Sequence, residues 1–224
     1  MSARRALFGS LVAFLALISG CTSQTASAAL PSGAELLGKS AGVMRSVKST
    51  HFAITVDGEL PDIPVQGAEG DLNGDGNAKG KAKTNQFGQL LEVDFVLVDK
   101  NLYVKGATGG FTKLPAFLAG QVYEPTVVLN PDKGVAHVLA SVKDPKTTGD
   151  DGDTYEVTGT VPKDVAAGLV PGIGSDVAGR FFVAKDSSQL RTARFELPGK
   201  NGGQAAVEVV LSDLGKPVTV NAPA

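Results

Sequence analysis

Apolar residues along this chain first recur every three to four positions and then every two, and that change of period marks out most of its elements. Over residues 35–47, Leu37, Ala41, Met44 and Val47 form one stripe of an amphipathic helix, with Pro31-Ser32 as its start signal. From His51 the period is two. Phe52, Ile54 and Val56 alternate with Ala53, Thr55 and Asp57, which predicts a strand with one inward face. A second strand is expected over 65–72, and Asn73-Gly74-Asp75-Gly76-Asn77 is a turn at which the chain doubles back.

The next strand has an unusual pattern. Ala78, Gly80, Ala82 and Thr84 alternate with Lys79, Lys81 and Lys83, so one face is cationic and the other carries only small side chains. Protein interiors are filled to crystal-like density. An inward face of small residues therefore leaves volume for something else to fill. The alternative is an exposed edge strand, where lysines discourage edge-to-edge pairing. Either arrangement accounts for the pattern.

Leu91, Val93, Phe95 and Leu97 then alternate with Glu92, Asp94, Val96 and Val98, and Asp99-Lys100-Asn101 turns the chain into a strand at 102–104. Further strands are expected at 154–161, 179–184, 190–197 and 205–211. Their inward sets are Tyr155, Val157 and Gly159; Phe181 and Val183; Ala193, Phe195 and Leu197; and Val207, Val209 and Leu211. Asp186 to Ser188 and Gly199 to Gly203 are turns between them. Residues 133–142 read as a helix with Val135, Val138, Leu139 and Val142 on one side, started by Asn130-Pro131-Asp132. A short helix follows Pro162 over 163–169. The order is helix, strands, helices, strands. That is an α+β arrangement with an antiparallel sheet and helices on one face, not a series of βαβ units.

The N-terminus adds a targeting signal. Arg4 and Arg5 precede an apolar run from Ala6 to Ile18, too short to span a bilayer. Ile18-Ser19-Gly20 then leads into Cys21, the only cysteine. This matches a bacterial lipobox, in which the thiol is acylated before cleavage. The expected organisation is a signal peptide at 1–20, a lipidated Cys21 with a Ser/Thr/Ala-rich tether to residue 33, and one domain over 34–224. The tether has an average reach of roughly 20 Å as a random coil. No thiol is left for a disulfide, so the domain stands on packing alone. Without Arg4 and Arg5 the 21 basic residues become 19, against 23 acidic ones, and no basic patch with interleaved aromatics appears. Nucleic acid is not an expected partner.

Catalytic chemistry has no sign in the chain. Asp71-x-Asn73-x-Asp75-Gly76 begins like a calcium loop, but Ala82 stands where the bidentate Glu belongs, so it reads as a hairpin turn. Asp150, Asp151 and Asp153 read as a solvated turn. His51 at a strand start and His137 in a helix are the only two histidines, and both read as surface or boundary residues. The spacings Gly33-x4-Gly38-Lys39-Ser40 and Gly38-x-Ser40-x-Gly42 fall on the first helix stretch and its start rather than on a strand-to-helix turn, so neither reads as a phosphate loop or a nucleophile elbow, and there is no dinucleotide fingerprint. Gly172-Ile173-Gly174 lacks the third glycine. The expectation is a non-enzymatic protein without a cofactor.

Several segments carry a family likeness: Gly70-Asp71-Leu72, Val93-Asp94-Phe95-Val96, Leu102-Tyr103, Tyr123-Glu124-Pro125, Leu129-Asn130-Pro131-Asp132-Lys133-Gly134 with Val138-Leu139-Ala140, and Leu211-Ser212-Asp213-Leu214-Gly215-Lys216. Through them the chain resembles the actinobacterial LppX/LprA/LprF/LprG lipoproteins, most of all the LprG branch. The stretch from Phe111 to Leu118 and a loop from Thr147 to Asp153 look individual, and Leu214 stands where relatives tend to have Trp. The resemblance implies a strongly curved antiparallel half-barrel, like that of the LolA/LolB periplasmic lipoprotein carriers. Helices on its concave side would enclose an apolar cavity lined by Ala78, Gly80, Ala82, Thr84, Leu91, Val93, Phe95, Leu97, Val135, Val138, Leu139, Phe181, Val183, Phe195, Val207 and Val209. It further implies a monomeric carrier on the outer face of the inner membrane, with the cell wall or release as further locations. Its cargo would be multi-acylated lipids such as triacylglycerol and phosphatidylinositol-mannoside or lipoarabinomannan glycolipids, and a major-facilitator transporter its partner. A different class of reading is a surface lipoprotein that recognises protein and has a solid interior. Phe111, Leu114, Phe117 and Leu118 are expected either as a membrane-contacting rim or as packing on the domain's own sheet.

Overall fold

The computed structural model describes residues 30–61, 65–86, 89–114, 125–169 and 173–223. Cys21 and the segment before it, Phe117, Leu118, Tyr123, Glu124 and Gly172 lie outside these. Eleven strands form one antiparallel sheet: β1 Ser49–Asp57, β2 Val65–Asn73, β3 Ala78–Gln86, β4 Gln89–Val98, β5 Asn101–Lys105, β6 Thr112–Lys113, β7 Lys143–Asp151, β8 Thr154–Val161, β9 Val177–Ala184, β10 Leu190–Pro198 and β11 Gln204–Ser212. Their spatial order is β6-β5-β4-β3-β2-β1-β11-β10-β9-β8-β7, so first and last strands of the chain's two blocks meet at β1 and β11. Among the described residues, three helices, α1 Gly33–Arg45, α2 Val135–Ser141 and α3 Lys163–Leu169, and 3-10 turns at Pro125–Leu129 and Lys200–Gly202 accompany the sheet in an α+β fold.

The register defines the inner face without ambiguity. Val93, Ala82, Ala68, Ile54, Val209, Ala193, Phe181, Val157 and Thr147 stand side by side across nine strands. Side chains alternate between faces along each strand, so this row and those two residues away share one side. The described helices cover only part of it. α1 packs on α2 and reaches β7, β8 and β9, while the turn at Pro125–Leu129 meets β2. Leu36, Leu37, Ala41 and Met44 of α1 are buried together with Ser40, and Gly33 is glycine because a Cβ there would sit 2.7 Å from the Pro145 carbonyl oxygen.

Several sequence expectations change in detail. α1 starts and ends two residues early, which puts Val47 outside the helix and adds Leu36 to the buried stripe. α2 begins at Val135, since Asn130 to Gly134 is spent on the turn before it. β3 is an interior strand, which removes the edge-strand explanation for its lysines. The expected loop at Thr147 to Asp153 is largely strand: β7 continues to Asp151, and only Gly152-Asp153 turns. A sheet-edge strand pairs on one side only, so β7 folds with polar residues and two register shifts that hide it from a search for alternation. The β4–β5 turn behaves as expected, with Asp99 and Lys100 both at positive φ (50° and 62°), the two-residue hairpin geometry that suits strand twist.

Candidate functional site

Between α2, α3 and the sheet lies an apolar cavity. Val135, Val138 and Leu139 of α2, Leu169 of α3 and Val128 of the 3-10 turn form its roof. Ile54, Phe181, Leu190, Ala193, Phe195, Val207 and Val209 form its floor. No charged or polar side chain is among these. Counted as room for the centre of a water-sized sphere it holds about 30 Å³, within about 480 Å³ of non-atom space that includes open solvent. Such a site stays dry for want of polar partners. Phe181 and Phe195 meet edge to face, ring centroids 6.0 Å apart at 79°.

The structure divides the expected lining residues into two groups. Val135, Val138, Leu139, Phe181, Phe195, Val207 and Val209 come together around the cavity, and Val183 is buried beside them, paired with Leu190 and Tyr155. Ala78, Gly80, Ala82, Thr84, Leu91, Val93, Phe95 and Leu97 lie on the other half of the same face. Ala78, Phe95 and Leu97 are buried there, Gly80, Ala82, Thr84 and Val93 are half-buried, and Leu91 is 42% exposed. The two groups are joined through Ala68 and Ile54 in the register row above. Ile54, Val128, Leu169, Leu190 and Ala193 line the cavity in addition to the expected set. Ile54 and Ala193 were readable from strand alternation, whereas Val128 faces the cavity only because the 3-10 turn folds under α2.

On the outer face of β1, β3, β4 and β10, charges pair across strands. Lys81 lies 3.0 Å from Glu92, and that hydrogen bond holds the Glu92 carboxyl below the usual carboxylate range while the Lys81 ammonium is pushed up. Arg194 bonds Asp57 at 2.9 Å and Glu196 at 3.1 Å. His51 Nδ1 lies 2.8 Å from Asp71, half-exposed on this outer face. Asn73 accepts from the amides of Asp75 and Asn77, both at 3.1 Å, as the hairpin-turn reading requires. Phe111 is half-buried with Lys105 over its ring, and Leu114 packs against the core. No helix among the described residues is long and apolar enough to cross a membrane.

Fold and site together define a class: an open antiparallel half-barrel whose apolar inner face is partly roofed by helices. The chain belongs to the LppX_LprAFG lipoprotein family, whose profile it matches over residues 32–220. It is similar to the lipoarabinomannan carrier protein LprG of Mycolicibacterium smegmatis, with 34% identity over 98% of this chain and 96% of that protein. It is equally similar to LprG of Mycobacteroides abscessus, with 34% identity over 99% and 97%. Among solved structures, LprF from Mycobacterium bovis has a TM-score of 0.72 at 23% identity, covering 86% of this chain and 97% of that one. LppX from Mycobacterium tuberculosis has a TM-score of 0.62 at 21% identity, covering 84% and 97%. These structures share the fold.

Proposed function

We propose that this protein is a membrane-anchored lipid carrier. Cys21 would hold it to the outer face of the inner membrane, and the domain from residue 34 would take multi-acylated lipids onto its inner face and move them toward the outer envelope. Triacylglycerol and acylated glycolipids of the phosphatidylinositol-mannoside and lipoarabinomannan kind are the proposed cargo. A major-facilitator transporter is the proposed partner. The cargo is carried unchanged, without cofactor or covalent step.

The observation that carries this reading is the single apolar face that runs from the roofed cavity at Phe181 and Val209 to the open small-residue half at Ala68 and Ala82. The energetics agree with it. Each CH₂ taken from water is worth roughly 0.8 kcal/mol, so a chain of about sixteen carbons costs roughly 12 kcal/mol to expose. Passing it from a bilayer to an apolar cavity exchanges one oily setting for another, so loading and release are both cheap. A relative named as a lipoarabinomannan carrier, similar along almost the whole chain, supports the glycolipid assignment.

The narrowness of the closed cavity favours a second reading, a lipoprotein with a solid interior that recognises protein. Native mass spectrometry after incubation with lipid vesicles separates them. The carrier should retain diacyl or triacyl lipid masses that survive gentle activation. A chain that stays lipid-free after loading would discard the carrier reading.

A further inference from the structure

Two voids lie end to end beneath the helices. The second is bounded at its far end by Val161, Ala166, Ile173 and Val177, with about 280 Å³ of non-atom space that includes open solvent. Leu169, Phe195 and Val207 line both voids. We propose that Leu169 and Phe195 are a partition across one acyl channel and set the length of chain it accepts. This rests on the carrier reading above.

The two sides of the partition differ in freedom. Phe195 is held by the sheet, paired with Val207 and Gly179 and set edge to face against Phe181. Leu169 is the last residue of the seven-residue α3. That helix is fixed at its start, where the Lys163 amide donates to Asp176 at 2.8 Å and the Ala166 amide to the Pro162 carbonyl at 2.9 Å. Its main packing partner is α2 and not a strand. Leu169 can therefore swing aside about a fixed helix start while Phe195 stays. A chain in the first void ends against this pair. A longer one turns Leu169 away and runs on toward Ala166 and Ile173. Both voids are lined by apolar atoms that lack partners on one side, so entering methylenes recover dispersion contacts that the closed form lacks.

The test uses the acylated full-length chain in nanodiscs. It is offered diacyl phosphatidylglycerols of one acyl length at a time, and bound lipid is read by native mass spectrometry. Leu169→Ala opens the partition and should raise binding of the longest chains several-fold over wild type. Ala166→Leu fills the second void and should lose the longest chains while keeping the short ones. Folding is checked by circular dichroism and thermal melting. If Leu169→Ala fails to fold, Ala166→Leu decides alone. A folded Ala166→Leu with the wild-type length profile overturns the partition. Wild type that binds no phosphatidylglycerol and no co-purified lipid of any length overturns the carrier reading itself, and the partition with it.

Discussion

Ala82 and Gly80 stand two residues apart on one face of β3, and they are small for different reasons. A Cβ on Gly80 would run into the Glu69 carbonyl of the neighbouring strand, and one on Gly70, its cross-strand partner, into the Lys79 carbonyl. Glycine here is what lets β2 and β3 approach, so Gly80→Val should destabilise by about 2 kcal/mol, lowering the melting temperature by roughly 4–8 °C. A melt within a degree of wild type would show that the strands can part without cost. Ala82 is half-buried between Ala68 and Val93, on the half of the face that α1 and α2 leave uncovered. On the proposed carrier reading, an indole there would occupy space that cargo takes up. Ala82→Trp should abolish lipid transfer between vesicles with a nearly unchanged melting temperature, where overpacking a filled core costs about 1–3 kcal/mol. Retained transfer with a large drop in melting temperature would make Ala82 an ordinary core residue.

The element on which the site most depends is the start of α2. Asn130 Oδ1 accepts from the amides of Asp132 and Lys133 at 2.9 and 3.0 Å, and the Gly134 amide donates to the Asn130 carbonyl at 2.8 Å. A Cβ on Gly134 would press on the carbonyls of Val127, Val128 and Asn130. This knot aims Val135, Val138 and Leu139 at the sheet. Asn130→Ala removes an acceptor like that of a helix cap, worth about 1 kcal/mol, and should speed lipid release from the loaded protein in a stopped-flow assay. An unchanged release rate would separate the knot from the roof. The same segment shows how far the sequence is legible. Its Asn-Pro-Asp spacing announced a helix start, and α3 and β8 have the bounds that periodicity suggested. Strict alternation likewise placed Phe181, Phe195, Val207 and Val209 on the inner face. β7 stayed hidden because an edge strand needs no apolar face, and β6 because two residues carry no period. The split of the lining into a roofed and an open half depends on where α1 and α2 come to rest, and no pattern within β3 or β4 encodes that.

At the scale of the whole molecule, the surface ion pairs and the apolar inner face act separately. Hydrogen bonds from Lys39, Lys81 and Lys216 hold Glu35, Glu92 and Asp213 below their ordinary values of 4.5, 4.5 and 3.8. What they contribute is complete above those values and is lost as pH falls through the lower folded ones. Lys81 and Lys185 are raised above 10.5 by Glu92 and Asp150, so their contribution is complete below that value and is lost at higher pH. All are exposed and individually weak. The melting temperature should therefore be flat from about pH 5 to pH 10 and fall gently at either end. The proposed anchor is as separable as the surface charge. Cys21 is the only thiol in the chain and lies nine residues before Leu30, where the described domain begins. Fully extended, that stretch spans at most about 30 Å, so the proposed lipid on Cys21 would keep the domain near the bilayer. Two acyl chains give a stable anchor, whereas one gives only marginal binding. Cys21→Ser, made in a chain whose residues 1–20 are replaced by a signal cleaved without lipidation, should leave the domain folded and free. Most of it should appear in the soluble envelope fraction after a salt wash, with the melting temperature of the acylated protein. If that variant still sediments fully with membranes, something other than Cys21 holds the domain there, and the lipid-anchored carrier must be replaced by a peripheral one.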